Sequence, residues 1–289
     1  MSKKSKKIPS APVAGGTVSA FVKKLNSLLE ERYGRRIPTE YQALVDVLSR
    51  PQDLTRKDKN SPLVSKTYKD LKPERLLEEL VDSCTPEEIL MLIPDTVEET
   101  KELNALINGA RMGRDEDTIW RKITGYAHIN RAWIRTLAGK LKGKKCLEIM
   151  AGNGLLSYML QEAGASVMAT DIAPDKSNEY ISMRGRLFTD VTAQDAVGAV
   201  RKYGQKADVL IVSWPPQGGE EVLKAWEAYA RLRPDGQLLY IGEARGGFNA
   251  TDAFFDTLEE ADALEDVNRQ HLSLPGSKDR IGLYTYRRL

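Results

Sequence analysis

Residues 145–171, KCLEIMAGNGLLSYMLQEAGASVMATD, constrain the fold more than any other stretch of the chain. Cys146, Leu147, Ile149 and Met150 make a short apolar run that ends in Gly152-Asn153-Gly154, after which Leu155, Leu156, Met159 and Leu160 recur at helical spacing. That pattern predicts a strand, a tight glycine turn and a helix. The next apolar run, residues 166–170, closes on Asp171, about 20 residues after the glycines, where a nucleotide-binding strand–helix–strand unit carries its ribose-binding acid. Glycines let the backbone pass close beneath a ligand, and the helix that follows presents unpaired N–H groups to it. The carboxylate of Asp171 can accept both ribose hydroxyls.

Three details narrow the choice of nucleotide. Glu148 stands at the end of the first strand, where a nicotinamide dinucleotide site shows apolar residues, and Ser157 occupies the place of the third fingerprint glycine. Downstream, the strand-like residues 187–192 are followed by Asp195-Ala196. In these motifs the chain resembles the class I S-adenosylmethionine-dependent methyltransferases. Glu148 with Gly152-Asn153-Gly154 matches their first motif, Asp171 the second, and Asp195-Ala196 the third. The resemblance covers about residues 125–289. It implies an α/β fold whose seven-stranded, mostly parallel Rossmann-like sheet ends in an antiparallel pair, with S-adenosyl-L-methionine as cofactor. It also implies Gly152, Asn153 and Gly154 beneath that cofactor, Asp171 on its ribose, Asp195 on the adenine amino group and Glu148 at the amino-acid end.

The 289 residues allow one large domain or a domain with a substantial extension, and 41% hydrophobic residues suffice for an ordinary core. No apolar run approaches the ~20 residues that span a bilayer, and MSKKSKKIPS has no apolar stretch after its charges, so a cytoplasmic protein is expected. Two cysteines, Cys84 and Cys146, and two histidines, His128 and His271, offer no disulfide framework and little for a metal. A net charge of +2 does not demand a nucleic-acid partner.

Residues 1–16 are rich in Lys, Ser, Pro and Gly and read as a disordered basic tail. Residues 17–113 carry helical stripes and no convincing strand, which predicts an α-helical N-terminal domain ahead of the methyltransferase-like domain at 114–289. Phe21, Leu25, Leu28 and Leu29 form one stripe; Tyr41, Leu44, Val45 and Leu48 form another; residues 51–62 form a polar connection. Thr85-Pro86-Glu87-Glu88 reads as a capping box, and Asp95 with Glu98 as a second.

A further helix is expected over 116–139. The resemblance implies that its Tyr126, His128 and Arg131 lie near the methionine end of the cofactor, although an exposed or core-satisfied histidine is the preferred reading for His128. After a helix at 196–203, residues 207–212 form a continuous apolar run of the kind a parallel sheet buries on both faces. It ends in Ser213-Trp214-Pro215-Pro216, which resembles the Pro-Pro motif of amino-methyltransferases, with Trp214 where the polar residue belongs and Gln217 where the aromatic belongs. These four residues line an acceptor pocket, or they stop a strand whose tryptophan is core. Glu243, at the end of the fifth strand, could bind a substrate amine or stand on a surface loop. A helix over 249–263 and two strands, at 266–274 and 280–287, complete the reading. The expected activity is methyl transfer to an unidentified acceptor, with a nitrogen among the options and nucleic acid, protein and small molecules all open. A non-catalytic interaction protein and a nicotinamide-dependent oxidoreductase are the alternatives.

Overall fold

A computed structural model describes residues 19–49, 73–109, 116–174, 186–273 and 277–287; the expected tail at 1–16 and the connection at 51–62 lie outside them. Among the described residues seven helices precede the sheet: α1 (Ala20–Tyr33), α2 (Thr39–Leu48), α3 (Pro73–Ser83), α4 (Pro86–Leu92), α5 (Val97–Gly109), α6 (Glu116–Thr124) and α7 (Arg131–Lys140). The α1 stripe buries Phe21, Val22, Leu25, Leu28 and Leu29 and stops at Gly34, whose φ is 58°. Thr85 and Glu88 form the expected capping box at α4. The second box is displaced by one residue. The Thr96 hydroxyl accepts from the Glu99 amide at 3.1 Å, and the Glu99 carboxylate accepts from the Asp95 amide at 2.8 Å. Lys122 of α6 is fully buried and joins α3 through Glu78 at 2.9 Å and Asp82 at 2.7 Å.

The sheet has the order β3-β2-β1-β4-β5-β7-β6, built from β1 (Lys145–Ile149), β2 (Ser166–Asp171), β3 (Val191–Ala193), β4 (Val209–Ser213), β5 (Gln237–Glu243), β6 (Leu258–Asp262) and β7 (Asp279–Tyr286). All pairings are parallel except those of β7 with β5 and with β6. The connecting helices are α8 (Leu155–Glu162), α9 (Ala196–Tyr203), α10 (Glu221–Leu232), α11 (Asp252–Asp256) and α12 (Glu265–Asn268).

Strand alternation divides the apolar residues between two cores. Along β4, Val209 and Ile211 face one cluster while Leu210 and Val212 face the other; along β5, Leu239 and Ile241 alternate with Leu238 and Tyr240 in the same way. The first cluster is continuous from the N-terminal helices, through Trp120 and Trp133, to that face of the sheet. The second lies under α9, α10 and α11.

Three expected elements differ. The helix at 116–139 is two helices, broken where Gly125 (φ 65°) and His128 (φ 48°) turn left-handed and restarted by Asn130, whose side chain accepts from the Trp133 amide at 3.1 Å. The helix at 249–263 shrinks to α11, and β6 follows at once. Glu259, Glu260 and Asp262 of β6 are exposed, so a charged edge strand that resists further pairing has no apolar signature. The described residues 266–273 form no strand. Instead Asn268 of α12 donates to the Ile281 carbonyl at 2.7 Å and accepts from the Ile281 amide at 3.0 Å, covering β7 beyond the end of β6.

Candidate active site

The carboxyl ends of β1, β2 and β4 open into a cleft of about 670 Å³, at the point where the chain crosses from one side of β1 to the other. The glycine turn forms its floor. Gly154 precedes α8 with φ 77°, and a Cβ there would lie 2.8 Å from the γ-methyls of both Thr189 and Val191, so any other residue is strained and must displace its neighbours. Asp171 clamps the turn from β2: one oxygen accepts from the Gly152 amide at 2.9 Å, the other from the Ala173 amide at 2.9 Å. The Asn153 side chain accepts from the Leu155 amide at 3.3 Å.

Glu148 is buried under the turn and accepts from the Ser157 hydroxyl. Burial pushes its carboxyl up to about 7, against the opposing pull of the Ser157 hydrogen bonds and with a further push from the Asp171 charge. Ser157, the residue that replaces the third glycine, is therefore the partner of the acid that distinguishes this turn.

The wall opposite comes from the turn between α6 and α7. Tyr126 lines the cleft, with the Arg121 guanidinium 5.1 Å from its ring centroid and the Trp214 ring 6.4 Å away. His128 is behind this wall and does not line the cleft. Its ring sits 5.9 Å from Trp120 and 6.2 Å, edge-on, from Trp214, and burial pushes its imidazole down to about 3, so it stays neutral. Arg131 points elsewhere, to Asp95 at 3.2 Å and the Leu90 carbonyl at 2.9 Å. Arg121, on α6, is the cation lining the cleft among the described residues.

Ser213, Trp214, Pro215 and Pro216 all line the cleft. The Trp214 amide donates to the Ile241 carbonyl at 2.7 Å, and the residue then turns left-handed at φ 47°, which takes the chain out of the sheet. Asn249 fixes the next step: it donates to the Pro215 carbonyl at 3.1 Å and accepts from the Glu243 amide at 2.8 Å.

Two expected site residues do other work. Glu243 is buried outside the cleft lining, where its two oxygens accept from the Phe248 amide at 2.8 Å and the Lys278 amide at 3.3 Å, anchoring the loop after β5. Asp195 is exposed and also outside the lining. It caps α9 by accepting from the Gly198 amide at 2.8 Å, a bond that holds its carboxyl below the usual range, and accepts from the Gln194 side chain at 3.1 Å. The residues that sequence reading passed over are Arg121, Ile172, Glu221, Phe248 and Asn249. Ile172 and Phe248 are 75% and 76% exposed, an unusual position for large apolar side chains.

Among the described residues no group of three or more His, Cys, Asp or Glu could hold a metal, and no helix is long and apolar enough to cross a membrane.

No protein-family model matches the chain. A ubiquinone biosynthesis O-methyltransferase of Bordetella avium (strain 197N) is 31% identical over 71 residues, which are 25% of this chain and 29% of that protein. The chain thus matches under a third of the length of this curated relative. Among solved structures, the mitomycin 7-O-methyltransferase MmcR aligns over 92% of this chain and 97% of its own at 13% identity and a TM-score of 0.42. Magnesium protoporphyrin IX methyltransferase from Synechocystis PCC 6803, with bound SAM, aligns over 61% and 85% at 17% identity and a TM-score of 0.35. Sheet order, the positions of Glu148, the glycine turn and Asp171, and the local similarity to the curated relative identify the fold as that of the class I S-adenosylmethionine-dependent methyltransferases.

Proposed function

We propose that the chain binds S-adenosyl-L-methionine in this cleft and transfers its methyl group to an acceptor nitrogen. The observation that carries the reading is the clamped turn: Asp171 reaches across from β2 to the Gly152 amide at the crossover point of the sheet. The donor set suits the cofactor. Each Asp171 oxygen accepts one backbone N–H and keeps a lone pair, enough for the two hydroxyls of a ribose. Ile172 beside it offers an exposed apolar face to the base, Arg121 a cation to the carboxylate, and Glu148 an acceptor to the amino group. Asp195 and His128 have no part in this assignment.

Bound there, the cofactor supplies an electrophilic methyl carbon on a sulfonium. The protein's contribution is position. Ser213 to Pro216 and Tyr126 shape the space beside the glycine turn, where holding acceptor and methyl group in line can supply several kcal/mol, about 7 or more in the best-oriented cases. The helices within residues 17–113 brace the segment around the 125–130 turn, through the Arg131 amide on the Pro94 carbonyl at 2.9 Å and the Lys122 pairs to α3.

Titration calorimetry with S-adenosylhomocysteine tests the assignment. The native protein should bind it, and Asp171→Ala should weaken binding by about 1.5–3 kcal/mol, the range for hydrogen bonds to a charged group. Absence of binding, with clear binding of NADH, would establish the oxidoreductase instead; absence of both would leave an interaction protein on a borrowed fold.

A further inference from the structure

The ionisable groups lining the cleft are unevenly distributed. Glu148 and Asp171 flank the glycine turn from β1 and β2, Arg121 stands on α6 and Tyr126 in the turn before α7. On the side formed by the ends of β4 and β5, Glu221 is the single charged lining residue among those described. Glu243, the other acid nearby, is buried and engaged by two loop amides.

Glu221, the first residue of α10, is exposed, and its charge reaches Lys224 one turn on. Its Oε2 lies over the turn before α10, 2.7 Å from where a Cβ on Gly219 would sit. The nearby Lys224 is held by Glu220 at 2.8 Å. The same cleft is lined by Trp214, fixed by its left-handed backbone and the two prolines that follow, and by the exposed ring of Phe248. Aromatic faces attract cations and flat apolar groups, and a carboxylate attracts cations and repels anions.

We propose that this side of the cleft selects a basic amine on a flat apolar body as the methyl acceptor, with Glu221 taking the amine and Trp214 and Phe248 the body. The inference rests on the methyl-transfer reading above. The ammonium group first gives a proton to solvent by way of the Glu221 carboxylate. The nitrogen lone pair then forms the N–C bond as the C–S bond of the sulfonium breaks, its electron pair leaving with sulfur to give a thioether.

The test uses protein saturated with S-adenosylhomocysteine and three matched probes, phenethylamine, 4-ethylphenol and phenylacetate, followed by tryptophan fluorescence and calorimetry. Phenethylamine should bind most tightly. Glu221→Gln, at unchanged melting temperature, should weaken it about tenfold or more while changing 4-ethylphenol less than twofold. Equal or tighter binding of either other probe, no binding of any of them, or an unchanged phenethylamine affinity in Glu221→Gln overturns the inference. If S-adenosylhomocysteine itself does not bind, the cofactor reading fails separately, and the same probe criteria on the free protein decide the amine site.

Discussion

Replacing Glu148 by Gln should make the ligand-free protein more stable in a strongly pH-dependent way. The native carboxyl is 2% exposed, with a folded value of about 7 against an ordinary 4.5. Below pH about 4.5 it is protonated in both folded and unfolded chains and burial imposes no ionisation penalty. Between 4.5 and 7 the unfolded chain releases the proton while the folded one retains it, so rising pH favours unfolding. Above about 7 both are ionised and the whole penalty, about 3 kcal/mol, remains. Gln keeps the shape and can still accept from Ser157, but does not titrate. Urea unfolding at pH 5 and 8.5 should therefore show Glu148→Gln gaining about 2–3 kcal/mol on the native protein across that interval. A stability difference that does not change with pH would refute the assignment of Glu148 as a buried, Ser157-bonded acid. The same linkage reaches the cofactor: a ligand amino group next to Glu148 favours its charged form, so native affinity should improve as pH rises through about 7, and that trend should vanish in Glu148→Gln.

Trp214→Ala should reduce methyl transfer strongly while S-adenosylhomocysteine affinity stays within about twofold, if the cleft wall that Trp214 lines receives the acceptor as proposed; calorimetry and melting together check this, and a collapse of cofactor binding would place Trp214 in the core instead. Gly154→Ala should lower stability by about 2–4 kcal/mol in urea unfolding, since it combines a left-handed backbone with two contacts at 2.8 Å; a loss below about 1 kcal/mol would mean that Thr189 and Val191 yield easily.

The strand–turn–helix–acid unit was legible because each part has a local signature: β1 and β2 are apolar runs, the turn carries glycines, and Asp171 ends its strand. Trp214 and the prolines were legible for the same reason. What the sequence concealed was the partner of each side chain. An acid after β3 looks alike whether it meets a ligand or a helix amide, yet Asp195 followed directly by a helix carried the signature of a cap. Glu243 is satisfied by amides 5 and 35 residues away, a relation that no local pattern reports. His128 and Arg131 were placed on one continuous helix. The break at Gly125 and His128 rotates Arg121 and Tyr126 to the cleft, sends Arg131 to Asp95 and seals His128 among tryptophans. The β6 strand was hidden by its own charges.

His128, Met150 and Trp214 hold left-handed backbone at φ 48°, 55° and 47°, and each belongs to a different segment meeting at the cleft. For residues with side chains, such geometry raises the energy of the folded state by roughly 1–3 kcal/mol apiece. The two clusters on either side of the sheet must hold that tension before any ligand arrives. The rim is thus set in shape like a sprung frame, and an entering molecule finds walls already in place. Substitutions by glycine at these three positions would slacken the frame, so a search for hardier variants would be drawn to the same positions whose rigidity the chemistry needs.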